Sequence, residues 1–117
     1  MMADERPSIE VHLSEELTEA QLAEVLYGIE EEGIPYIVRR VPRSGVAAAA
    51  HAAAIASRLG VGVGAAGVQI AITTEKLPPD RPYIIHSLNR TPASDRAIGT
   101  NAARIVKRIP LRPLGTT

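Results

Sequence analysis

The 117-residue chain has no cysteine, no tryptophan and no phenylalanine. Without thiols there is no disulfide, no thiolate nucleophile and no thiolate metal site. Three tyrosines are the only aromatics, too few to make the stacking platforms that hold single-stranded nucleic acid. An excess of one charge is missing too. Thirteen Lys and Arg balance thirteen Asp and Glu, so no net field draws the chain to a polyanion or an anionic bilayer. No apolar run approaches the roughly 20 residues that span a membrane. Met1 to Pro7 is acidic and polar, lacking the basic and apolar blocks of a signal peptide. The expectation is a cytoplasmic protein that binds neither nucleic acid nor membrane.

What is present suits one packed domain over residues 1–117, with 45% apolar and 22% charged residues. Ser8–Leu13 alternates apolar and polar, the period of a half-buried strand. Thr18 and Gln21 stand at capping-box spacing. Leu22, Val25, Leu26 and Ile29 then form one apolar helical stripe, and Gly33 with Pro35 closes that helix. Tyr36–Val41 reads as a second strand. Ser44 caps an alanine-rich helix to about Leu59. Val61–Ala65 and Val68–Thr74 read as two strands about a glycine-rich turn, and Tyr83–Leu88 as another. A last helix runs from about Ala93 to Lys107, with Ile98, Ala102, Ile105 and Val106 inward. Strands alternating with helices predict an α/β fold: a single three-layer domain, its mostly parallel mixed sheet of about five strands covered by helices on both faces, with one hairpin.

Gly62-Val63-Gly64-Ala65-Ala66-Gly67 has the form of a dinucleotide fingerprint. That chemistry needs a helix immediately afterwards, whose free N–H groups hold the pyrophosphate. Val68–Ile72 instead alternates like a strand, so the run is read as a hairpin and no nucleotide site is assigned. His12, His51 and His86 fall on separate elements without ligand spacing along one helix. No Gly-x-Ser-x-Gly elbow is present, and nothing points to catalysis.

Glu30-Glu31-Glu32 at the end of the first helix opposes the helix dipole, at about 0.3–1 kcal/mol per carboxylate. Such a run asks for a partner or a cation. Helical geometry puts Glu24, Gly28 and Glu31 opposite the apolar stripe, and Gly28 leaves room for a close approach. In the last helix Gly99 is weakening by about 1 kcal/mol relative to alanine. With Asn101 beside it, Gly99 suggests another close neighbour there.

Leu26-Tyr27-Gly28-Ile29-Glu30-Glu31-Glu32-Gly33-Ile34-Pro35-Tyr36 resembles the first helix-to-strand junction of the small subunit of the diol/glycerol dehydratase reactivating factor. Gly99–Arg112 resembles the C-terminal helix of that subunit, and Leu77–Tyr83 the loop and strand before it. Gly45–Gly67 departs from the family, Arg108 stands where a glycine is usual, and Thr100 where an asparagine is common. The resemblance implies a three-layer fold shared with the dehydratase medium subunit, and a non-catalytic subunit paired with a large actin/Hsp70-like ATPase subunit. By the same resemblance, the complex is expected to release damaged cobalamin from inactivated dehydratase, the small subunit exchanging with a dehydratase subunit. Glu31 matches a position that helps hold a divalent cation, Mg²⁺ or Ca²⁺, shared with the large subunit; no cofactor is intrinsic to the chain.

The expected partner interface comprises Gly28, Glu31, Gly99, Asn101 and Arg104, with the large subunit and the dehydratase as partners. The expected location extends to association with a bacterial microcompartment. Two other readings are a medium-subunit-like component of a cobalamin-dependent dehydratase and a free-standing small-molecule binding domain. The uncharged stretch between Gly45 and Arg58 predicts self-association of the isolated chain.

Overall fold

A computed structural model describes residues 6–114. The order of elements is β1 (Ile9–Ser14), α1 (Ala23–Glu31), β2 (Tyr36–Val41), α2 (Val46–Ala56), β3 (Val61–Ala66), β4 (Gln69–Thr74), β5 (Ile84–Ser87) and α3 (Pro92–Lys107). The five strands form one mixed sheet in the order β2-β1-β3-β4-β5. β1 pairs in parallel with β2 and β3. β4 is antiparallel to both β3 and β5, so the sheet has two antiparallel pairings where the sequence pattern predicts one hairpin.

The strand order fixes where the helices go. The chain moves from β1 outward to β2, then back across β1 to β3. Right-handed crossovers in opposite directions place α1 and α2 on opposite faces. Register and burial agree. Ile9, Val11 and Leu13 of β1, Val61, Val63 and Ala65 of β3, and Ile70 and Ile72 of β4 join Val25, Ile29 and Ile98 in one buried cluster under α1 and α3. The alternate positions, Gly62 and Gly64 among them, lie against the backbone of α2 around Ala49–Ala54. A side chain at either glycine would collide with that backbone, so the two glycines and the alanine helix fit each other.

Several boundaries differ from the sequence expectation. The Thr18 amide donates to Gln21 Oε1 at 2.9 Å, but the first turn, Glu19–Leu22, is a 3-10 turn and the α-helix starts only at Ala23. α2 is capped at Gly45 rather than Ser44 and stops at Ala56 rather than Leu59. There the Ser57 hydroxyl donates to the Ser8 carbonyl at 2.7 Å, drawing the chain out of the helix. Val68 belongs to the β3–β4 turn and is 77% exposed. α3 begins one residue early, with Pro92 in its first turn and the Thr91 hydroxyl accepting from the Ser94 amide at 3.0 Å.

Candidate functional site

Backbone contact between α1 and α3 builds the site. A Cβ at Gly28 would collide with the Arg96 carbonyl and the Thr100 amide. A Cβ at Gly99 would collide with the Val25 carbonyl. The close neighbour that both glycines predict is thus the other helix of the same chain, and both residues are buried. Asn101 is also buried, and it pins the segment after α3. Its Nδ2 donates to the Arg112 carbonyl at 2.9 Å and its Oδ1 accepts from the Arg112 amide at 2.6 Å. Gly28, Gly99 and Asn101 therefore face the interior of this chain, and the α1 face bearing Glu24, Gly28 and Glu31 looks toward α3.

Charge follows the crossing. Arg96 lies between two turns of α1, with Nη2 at 2.7 Å from Glu24 Oε1 and Nη1 at 2.8 Å from Glu31 Oε2. Its guanidinium also stands 5.4 Å from the Tyr27 ring centroid, within cation–π range. The hydrogen bond that Arg96 donates to Glu24, chiefly, and then the charges of Glu24 and Glu31 hold the Arg96 pKa above its usual value. At the C-cap of α1, Glu32 accepts from Lys107 Nζ at 2.7 Å and lies 3.5 Å from Arg104 Nη2. The Lys107 hydrogen bond chiefly draws the Glu32 carboxyl below the usual range. Two of the three carboxylates that oppose the α1 dipole are thus matched by cations of α3. Glu31 keeps 59% of its side chain exposed, and Arg104, beside Glu32, keeps 29%. Arg96, the hub of this arrangement, was not singled out by sequence. The signal was an acidic α1 face opposite a basic α3.

A second polar cluster lies where the strand order reverses, at the carboxyl ends of β1 and β3, the usual anion crevice of an α/β sheet. Glu16 occupies it. Its carboxylate accepts from the Ser14 hydroxyl at 2.5 Å and the Gly67 amide at 2.7 Å, and lies 3.6 Å from Arg43. Gly67 is the last glycine of the fingerprint-like run, which forms β3 and a turn rather than the start of a helix. His12 lies 3.1 Å from Glu10 Oε1, while His86 lies on β5 beside Ile70, on the opposite face. Among the described residues no group of three His, Asp or Glu side chains could hold a metal. No helix among them is long and apolar enough to cross a membrane.

The dehydratase medium subunit family matches residues 6–112. A propanediol dehydratase-reactivating factor small subunit of Citrobacter freundii is 39% identical over 89 residues, 76% of this chain and 77% of that protein. A diol dehydratase-reactivating factor small subunit of Klebsiella michiganensis is 38% identical over 93 residues, 80% of this chain and 74% of that one. Among solved structures, a glycerol dehydratase reactivase superposes with a TM-score of 0.89 at 28% identity, over 94% of this chain and 100% of that chain. A diol dehydratase-reactivating factor complexed with ADP and Mg²⁺ superposes with a TM-score of 0.87 at 33% identity, over 92% of this chain and 99% of that one.

Proposed function

The chain belongs to the dehydratase medium subunit family, and from that premise we propose that it is the non-catalytic small subunit of a chaperone-like factor that reactivates a diol or glycerol dehydratase. The observation that carries this reading is the agreement of sequence and shape. Relatives bearing the reactivating-factor small-subunit name are similar over about three quarters of the chain, and reactivase structures match it over 92% or more. The same agreement favours this role over that of a medium-subunit-like dehydratase component. The large ATPase subunit is the partner, the dehydratase the client, and release of damaged cobalamin the outcome.

Docking centres on the exposed rim of the α1–α3 crossing, at Glu31 and Arg104, while Gly28, Gly99 and Asn101 set the spacing behind it. Glu31 contributes one ligand to a divalent cation that the large subunit completes. Hard cations take carboxylate oxygen and gather ligands from more than one element. Arg96 can yield Glu31 to the cation because Glu24 and Tyr27 still hold it. The presence of Mg²⁺ in a related complex supports a cation in this one.

Glu31→Gln keeps the size and removes the charge. The variant is expected to fold with a stability change within about 0.5 kcal/mol, as for ordinary surface substitutions. It should retain the large subunit more weakly than wild type in Mg²⁺. Adding chelator should weaken wild type to the level of the variant. Equal pull-down of both proteins, with and without chelator, would remove Glu31 from the docking reading. Co-purification of a dehydratase core in place of a large ATPase subunit would overturn the reactivase role itself.

A further inference from the structure

Beyond the far end of α3 lies a groove of about 490 Å³ that shares only Arg104 with the docking rim. It is lined by Leu77, Tyr83, Ile105, Ile109 and Leu111, with Arg104 and Arg108 among the polar residues. The volume is in the range of small-molecule sites, and an apolar lining with a few placed polar groups is their usual composition. Tyr83 and Ile109 at its lip are 56% and 42% exposed, more apolar surface than an isolated turn needs to show.

Two features of the arginines call for an anion. Arg104 turns Nη2 toward Glu32 and Nη1 toward the Pro110 carbonyl at 3.3 Å, but its Nε is buried with no acceptor. A buried donor left unpaired is costly, and more so when it carries charge. Arg108 is odder. It ends α3 in the left-handed region, at φ 59°, where glycine is free of strain and other residues are not. Among the described residues its side chain makes no ion pair or hydrogen bond with any other. A strained backbone that carries an uncommitted guanidinium points to a use for that side chain. Among the described residues no carboxylate lines the groove; Glu75 lines the neighbouring one, which shares Thr74, Ile105 and Arg108.

We propose that this groove binds a small amphipathic carboxylate, its chain on Leu77, Tyr83, Ile105 and Ile109 and its head group between Arg104 and Arg108. The fork of a guanidinium matches a carboxylate with two parallel hydrogen bonds. An apolar body without charge lacks the partner for Arg104 Nε, and a cationic head meets two like charges.

The probe is octanoate, titrated into the ¹⁵N-labelled chain, with octanol and octylamine as comparators. Arg108→Gly is the variant of choice because it relieves the left-handed strain, so weakened binding cannot be put down to unfolding. Saturable octanoate binding is expected, with amide shifts confined to Thr74, Leu77, Tyr83, residues 104–109 and Leu111. In Arg108→Gly the affinity should fall by about tenfold, the loss that follows from one charged hydrogen bond, while the melting temperature holds or rises. Octanol and octylamine should bind more weakly than octanoate. Octanol binding as tightly as octanoate, equal octanoate affinity in Arg108→Gly, or no saturable binding up to the solubility limit would each overturn the proposal.

Discussion

Three groups converge on Glu16, the Ser14 hydroxyl, the Gly67 amide and the Arg43 guanidinium, and each favours the carboxylate over the acid. The Ser14 hydrogen bond chiefly, and then the Gly67 amide, bring its pKa from 4.5 down to about 2. A depressed folded pKa gives a contribution that is complete above the unfolded value and disappears as pH falls through the folded one. Stability linked to Glu16 should therefore be full above pH 4.5 and be lost toward pH 2. Glu32 acts in the same direction through Lys107 and Arg104. Glu16→Gln should flatten that acid limb in a series of thermal melts, leaving a shallower slope that Glu32 still supplies. An unchanged slope would mean that Glu16 titrates as it does in the unfolded chain. Little of this was legible in the sequence, because Ser14 is two residues away but Gly67 and Arg43 come from two other segments that only the strand order brings to Glu16. The fingerprint-like run was legible for the opposite reason. The strand pattern following Gly67 is local, and it was enough to set the nucleotide reading aside.

At the scale of elements, glycines inside α1 and α3 reverse an ordinary expectation. Replacing a helix-interior glycine by alanine usually stabilises, by up to about 1 kcal/mol. Gly28→Ala and Gly99→Ala should instead each destabilise by about 1–3 kcal/mol, the usual range for overpacking, because the added methyl meets backbone of the facing helix. Urea unfolding would show this as a lower midpoint at unchanged slope; a raised midpoint in either variant would mean that the helices separate at little cost. The oddness of Gly28 and Gly99 could be read from the sequence, whereas the identity of their neighbour could not. The strand positions were read well because their alternation is local, but β1 is not the half-buried strand that Ser8–Leu13 predicts: α2 covers its second face, so Glu10, His12 and Ser14 are buried as well. α2 was read least well. Its alanines carry no periodicity to say which side is inward, and its end at Ala56 depends on the hydrogen bond from Ser57 to Ser8, 49 residues away.

Over the whole molecule, apolar residues remain uncovered on several sides. Ile55 of α2, Ile85 of β5 and Val68 in the β3–β4 turn are exposed at 57%, 47% and 77%. β5 is also an edge strand, and without the exposed arginines that guard β2 at the other edge it offers free backbone groups for pairing. The isolated chain should therefore self-associate as its concentration rises, and sedimentation over a dilution series should show a mass that climbs with concentration. A constant monomer mass at high concentration would mean that these residues are too scattered to form a contact. Such surface is tolerable in a subunit that works within a complex. The net charge of zero gives the free chain little long-range repulsion to oppose that contact.

The crossing of α1 on α3 also has a consequence for the order in which the protein is made. α1 leaves the ribosome early, but the helix that covers Gly28 and seals the inner strands against water is the last element described, some 60 residues later in the chain. At translation speeds of about 5–20 residues per second, the nascent chain spends several seconds with β1 and α1 present and their shared cover missing. β1 waits in the same way for β3, its second parallel neighbour. Folding of this chain is therefore not built up from the N-terminus, but is held back until α3 is free to close over what came before.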